Sequence, residues 1–115
     1  MITVNFDEKA LGLIREKSIS SFLIDVDLME EPCVQVFSPV IKLKFSNTDE
    51  FEQKTNVDGV EILFSNQFIE QFGKHENILI SIKGLIRKQL FIKNIGSSAY
   101  ILIHKLVSSF FLFSS

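Results

Sequence analysis

The sequence predicts an α+β fold that is mainly β. Three observations carry that reading: an apolar stripe at helical spacing near the N-terminus, several runs that alternate apolar and polar residues, and an Asp-Gly pair set between two such runs. At 115 residues the chain has the usual size of one domain, and 46% hydrophobic residues suffice for a core. Twelve phenylalanines, against one tyrosine and no tryptophan, make that core aromatic.

Residues 2–4 read as a short strand leading into a helix over 7–17. Asn5 and Glu8 have capping-box spacing, and Asp7 and Glu8 suit the positive end of the helix dipole. Phe6, Ala10, Leu11 and Ile14 form the apolar stripe, and Arg15, Glu16 and Lys17 close the last turns. Gly12 inside the helix costs about 1 kcal/mol relative to alanine, which implies close approach to a neighbour. Residues 21–28 then alternate, with Phe22, Ile24, Val26 and Leu28 on one face and Leu23, Asp25 and Asp27 on the other. Glu30, Glu31 and Pro32 break this strand and leave Cys33 beside the start of the next. Alternation resumes over 40–45, where Ile41, Leu43 and Phe45 oppose Lys42 and Lys44, and the polar run 46–50 reads as a solvated loop.

Asp58-Gly59 is the preferred centre of a type I′ hairpin, because both positions need positive φ; the flanking strands are 51–57 and 60–64. Asn66 caps a short helix carrying Phe68, Ile69 and Phe72, and Gly73 ends it from the C′ position. Strands over 78–83 and 88–95 follow, joined through Gly84, with Ile78, Ile80 and Ile82 on one face. The tail, 96–115, breaks the pattern: from 99 to 113 only His104 and Lys105 are strongly polar. That run falls short of the roughly 20 apolar residues of a spanning helix. Its isoleucines, valines and phenylalanines suit strand as well as helix, so three dispositions stay open. It packs on the core or a partner subunit, lies on a membrane surface, or crosses a thin bilayer as a tail anchor.

A net charge of −2 lacks the electrostatic footprint of a nucleic-acid binder, and Arg87-Lys88, between Ile86 and Leu90, has no interleaved glycine or aromatic. A single cysteine forbids an intramolecular disulfide and fits a reducing compartment. The first residues, Met1-Ile2-Thr3-Val4-Asn5, have neither the basic nor the apolar region of a signal peptide. The expected home is the cytoplasm, with membrane contact through residues 99–113 as the variant.

Cys33 is either an inert small hydrophobe or a thiolate for chemistry; the neighbouring glutamates disfavour the thiolate. One cysteine and two distant histidines, His75 and His104, match no metal-ligand spacing within one chain, but two subunits can each contribute a thiolate to a shared site. Asp25 and Asp27 are either a carboxylate pair or a solvent-facing sheet surface. His75 has a loop context. No glycine-rich phosphate loop, nucleophile elbow or Ser-His-Asp set is visible, so the expectation is a non-enzymatic protein.

The order helix, strand, cysteine-bearing break, strand, Val57-Asp58-Gly59-Val60 hairpin, short helix, strand, Gly84, strand resembles a HesB-like domain, the fold of the A-type iron–sulfur carrier proteins. Within it the chain is most similar to the CC/Se-motif branch. The likeness lies in Asp7-Glu8-Lys9-Ala10, in the Val-Asp-Gly-Val turn, and in Ile80-Ser81-Ile82-Lys83-Gly84 followed by Lys88-Gln89-Leu90-Phe91-Ile92. It covers residues 1–95 and leaves 96–115 as an apolar tail. The resemblance implies a compact β-sandwich or pseudo-barrel with one N-terminal helix and a short second helix. It also implies a role in iron–sulfur cluster or metal handling. A-type carriers use one cysteine in the central break and a Cys-Gly-Cys near the C-terminus, and the CC/Se branch has adjacent cysteines at the break. Here Cys33 stands alone, with no cysteine after it. The implied site is therefore degenerate: Cys33 as metal ligand, shared between the subunits of a homodimer, for an iron–sulfur cluster or for iron or zinc. The alternative is a structural or interaction module that uses its sheet surface and tail for dimerisation or membrane contact, with thiol redox enzymology a distant third.

Overall fold

The computed structural model describes residues 2–45, 51, 53–102 and 112–114. Strand β1 (Thr3–Phe6) leads into helix α1 (Glu8–Glu16), followed by β2 (Ser21–Glu31), β3 (Val34–Lys42), β4 (Gln53–Val57) and β5 (Val60–Phe64). Helix α2 (Asn66–Phe72) precedes β6 (Asn77–Lys83), β7 (Gln89–Ile92), β8 (Ser98–Leu102) and β9 (Leu112–Ser114). The strands form a three-stranded sheet, β1-β6-β7, and a six-stranded sheet, β4-β5-β2-β3-β8-β9. The α+β, mainly β expectation holds.

One apolar cluster joins both sheets and both helices. Ala10, Leu13 and Ile14 of α1, Phe22, Ile24 and Val26 of β2, and Val60, Ile62 and Phe64 of β5 meet Phe68 and Phe72 of α2 and Ile78 and Ile80 of β6. Phe22 and Phe68 are fully buried, each contributing about 1.5–3 kcal/mol relative to exposure. Two parallel pairings organise this core: Thr3 lies beside Asn77 and Phe6 beside Ile80, while Ser21 lies beside Glu61 and Ile24 beside Phe64. Asn94 pins the chain after β7 to β6, accepting from the Leu79 N–H at 2.9 Å and donating to the Asn77 carbonyl at 2.8 Å.

The helix ends differ from expectation by a residue or two. Asn5 lies in β1 against Leu79, so the capping residue of α1 is Asp7, whose Oδ1 accepts from the Ala10 N–H at 2.8 Å and whose Oδ2 accepts from the Ser81 hydroxyl. The helix closes with a Schellman arrangement: Ser18 takes φ 51°, its N–H donates to Arg15, and the Ile19 N–H donates to Ile14 at 3.0 Å. Gly12 faces open space rather than a close neighbour, since a Cβ there meets nothing within 4 Å. Ser65, not Asn66, caps α2, its hydroxyl accepting from the Phe68 N–H at 3.0 Å. Gly73 ends α2 in right-handed geometry (φ −64°), so the left-handed C′ glycine expected there is absent.

The Asp58-Gly59 hairpin forms as expected, with φ of 51° and 81°. The β2–β3 hairpin is longer than the sequence predicts. Glu30 and Glu31 belong to β2, and only Pro32 and Cys33 form the turn between Glu31 and its partner Val34. Strand β3 starts at Val34, beside Cys33 as expected, and ends at Lys42, short of the alternating run 40–45. Its ladder to β8 stops at Phe37, ahead of Pro39, which has no N–H to extend it. Part of the apolar tail is thereby strand: β8 pairs with β3 and β9 with β8. The polar run 46–50 and residues 103–111, with His104 and Lys105, lie outside the described residues. Among the described residues no helix is long and apolar enough to cross a membrane.

Candidate functional site

The thiol of Cys33 sits at the apex of the longest hairpin. Proline fixes φ near about −65°, which suits the first central position of a turn. Neither Pro32 nor Cys33 takes a positive φ, so this turn is not of the primed type found at Asp58-Gly59. Cys33 is exposed, and residues 27–31 leading to it are exposed as well. Leu28 and Met29 present 43% and 60% of their surface to solvent, an uncommon dose of apolar area on an outlying strand end. Across the hairpin, Gln35 donates to Glu30 at 3.4 Å, and Phe37 packs edge-on against Tyr100 of β8 with centroids 5.5 Å apart. The apex is thus held by β8 as well as by its own ladder.

Among the described residues of one chain the donor set does not fit a metal or a cluster. Among the described residues no three His, Cys, Asp or Glu side chains converge, whereas a zinc site needs about four ligands and a [2Fe–2S] cluster about four thiolates. Around Cys33 the ionisable neighbours in sequence are the exposed Glu30 and Glu31.

Asp25 and Asp27 do share a face of β2, but they are not a free carboxylate pair. Lys42, diagonally across on β3, approaches Asp25 Oδ2 at 2.9 Å and Asp27 Oδ1 at 3.8 Å. Burial pushes the Asp25 carboxyl up; the Ser65 hydroxyl, the Lys42 ammonium and the Val26 N–H together outweigh it and hold the carboxyl below its ordinary range. The Asp25 hydrogen bond raises Lys42 against the opposing effect of burial. This group belongs to the architecture of the sheet. From Asp25 to the end of β2 the strand runs roughly 20 Å, so Cys33 and the ion pair are separate sites. His75 is exposed after α2, its ring 6.3 Å from that of Phe72. His104 lies outside the described residues.

Sequence reasoning missed a second surface. An open groove of about 740 Å³ runs between the end of α1, the end of β3 and the β6–β7 loop, floored by Leu13, Ile19, Ile41 and Leu90. The available signal was the apolar pair Leu85-Ile86 set between Gly84 and Arg87-Lys88, where a turn is normally polar.

Fold and site together define a class: a mainly β, α+β protein that displays its single thiol at a hairpin apex. No family model matches the chain, and no curated protein matches it. Among solved structures it is similar to IscA, in a crystal structure with the [2Fe-2S] cluster, at 12% identity and a TM-score of 0.48 over 80% of this chain and 82% of that one. No residue of this chain takes a role from that likeness.

Proposed function

We propose that the chain is a non-enzymatic, HesB-like protein that works as a pair of copies, with any metal it handles held between them by Cys33 of each. The observation that carries this reading is the lone thiol at the exposed apex of a hairpin that also bears the exposed Leu28 and Met29 further down its first strand. A ligand so placed is completed only by another molecule, and a second copy brings the same apolar side chains to cover. The element order and the motifs at residues 7–10, 57–60 and 80–92 support the HesB-like assignment. Two copies offer two thiolates together with the carboxylates of Glu30 and Glu31. That donor set suits an iron or zinc ion as cargo better than an all-thiolate cluster.

The test is metal content of protein purified without oxygen, beside Cys33→Ser, with the mass in solution measured for both. Iron or zinc at half a mole per chain in a dimer, lost in Cys33→Ser, supports the reading. Metal-free protein after reconstitution with iron and sulfide, or with zinc, refutes it. The competing reading is an interaction module that dimerises or reaches a membrane through its sheet surface and the tail 96–115, in which Cys33→Ser changes nothing.

A further inference from the structure

The loop joining β6 to β7 carries two bulky apolar side chains into water. Gly84 takes φ +100°, and a Cβ there would lie 2.1 Å from the Arg87 carbonyl oxygen, so the chain folds tightly back over 84–88 in a form that glycine allows. At its apex Leu85 is 99% exposed and Ile86 97% exposed. Isolated half-exposed apolar residues are ordinary on protein surfaces, but an adjacent pair left wholly in solvent by a shaped loop is not. The charge around the pair is predominantly positive. Arg87 and Lys88 follow it, Lys17 stands on the same groove, and among the groove's lining residues only Glu16 is acidic. The chain as a whole carries −2.

We propose that this loop docks the protein on an anionic lipid surface, with Leu85 and Ile86 entering the interfacial region and Lys17, Arg87 and Lys88 meeting the headgroups. Transfer of the apolar pair out of water and attraction of the cations to a negative surface act together at such a boundary. Charge complementarity calls for an acidic partner, and the shape of the loop selects lipid. Leu85 does not line the groove, so an acidic peptide lying there leaves it in water. A penetrable bilayer covers both side chains. Lys83 plays a different part, its ammonium lying 5.5 Å over the Phe91 ring of its own sheet. The proposal uses none of the residues of the metal reading and stands or falls apart from it.

The experiment is cosedimentation of the full chain with phosphatidylcholine vesicles, with and without phosphatidylserine, at low and raised ionic strength. The expected result is binding to the phosphatidylserine vesicles that weakens with salt. L85S combined with I86S lowers the partition coefficient at least about tenfold, and R87Q combined with K88Q does the same. All four side chains are exposed, so the unfolding midpoint stays at the wild-type value and loss of binding is not loss of fold. Three results overturn the proposal. One is no sedimentation with phosphatidylserine vesicles, as an acidic protein partner in the groove would give. Another is binding untouched by L85S with I86S, as contact through residues 99–113 would give. The third is equal binding to neutral vesicles.

Discussion

Replacing Asp7 by alanine tests how the first helix is fastened to the smaller sheet. The carboxylate serves two groups, the Ala10 N–H at 2.8 Å and the Ser81 hydroxyl of β6. Loss of a helix cap costs about 1 kcal/mol. Ser81 is only 5% exposed, so its hydroxyl is then left without this acceptor, at a further cost of about 1–3 kcal/mol. The expected destabilisation of Asp7→Ala is therefore about 2–4 kcal/mol, read as a shift in the urea midpoint at neutral pH. Removing the hydroxyl too should recover part of the loss, so Asp7→Ala with Ser81→Ala falls short of the sum of the single variants by about 1 kcal/mol or more. The sign of the pH dependence follows from the same contacts. The Ser81 hydrogen bond first, and the Ala10 N–H next, hold the Asp7 carboxyl below its ordinary value of 3.8 in the folded protein. A depressed folded pKa adds stability above the unfolded value and loses it as pH falls through the folded one. The gap between wild type and Asp7→Asn should thus shrink from pH 3.8 downward. An Asp7→Ala variant within about 0.5 kcal/mol of wild type, or a gap to Asp7→Asn that stays constant into acid, would refute this account.

Cys33 should react fully with a thiol reagent such as dithionitrobenzoate in the native protein; a thiol titrated only after denaturation would contradict its exposed place. Phe68→Ala should cost about 3–5 kcal/mol in a urea titration because the ring is fully buried, while Leu85→Ala should stay within about 0.5 kcal/mol. Equal effects at the two positions would overturn the placement of the core. Ser18→Gly should raise stability by about 0.5 kcal/mol, since Ser18 occupies the left-handed position at the end of α1; a loss of stability would count against the Schellman geometry.

Local chemistry was legible in the sequence wherever one residue type answers to one backbone geometry. Asp58-Gly59 is the clearest case, because few other pairs accept two positive φ angles in succession. Alternation found Phe22, Ile24 and Val26 of β2 and Ile78 and Ile80 of β6. It put Leu28 inside where it is exposed and Leu23 outside where it is buried, because the middle of the sheet is covered on both faces and the end of β2 on neither. The caps slipped because the strand before a helix decides where the chain is released. Pairing with β6 keeps Asn5 and Phe6 extended, and the Ser65 N–H is tied to Ile24 across β2. The first half of β3 was hard to bound because the adjacent apolar Val36 and Phe37, and then Ser38 and Pro39, interrupt the alternation, and its strand state comes from β2 and β8 on either side. At the candidate site, Cys33 beside a Pro break was visible. The capture of Asp25 by Lys42 was not, because it depends on a strand register that no local pattern encodes.

The parallel pairing of β1 with β6 bears on how the chain is made. Thr3 to Phe6 have no ladder partner until Asn77 to Ile80 have emerged, and the Asp7 that caps α1 also awaits Ser81. During synthesis the N-terminal strand therefore waits for two-thirds of the chain, while the β2–β3 and β4–β5 hairpins have their partners at hand. Closure of the smaller sheet therefore carries a larger loop-closure cost than closure of either hairpin. Up to Glu76 the chain holds every residue of both hairpins, yet its first strand has no ladder partner and Asp7 has no Ser81 to meet.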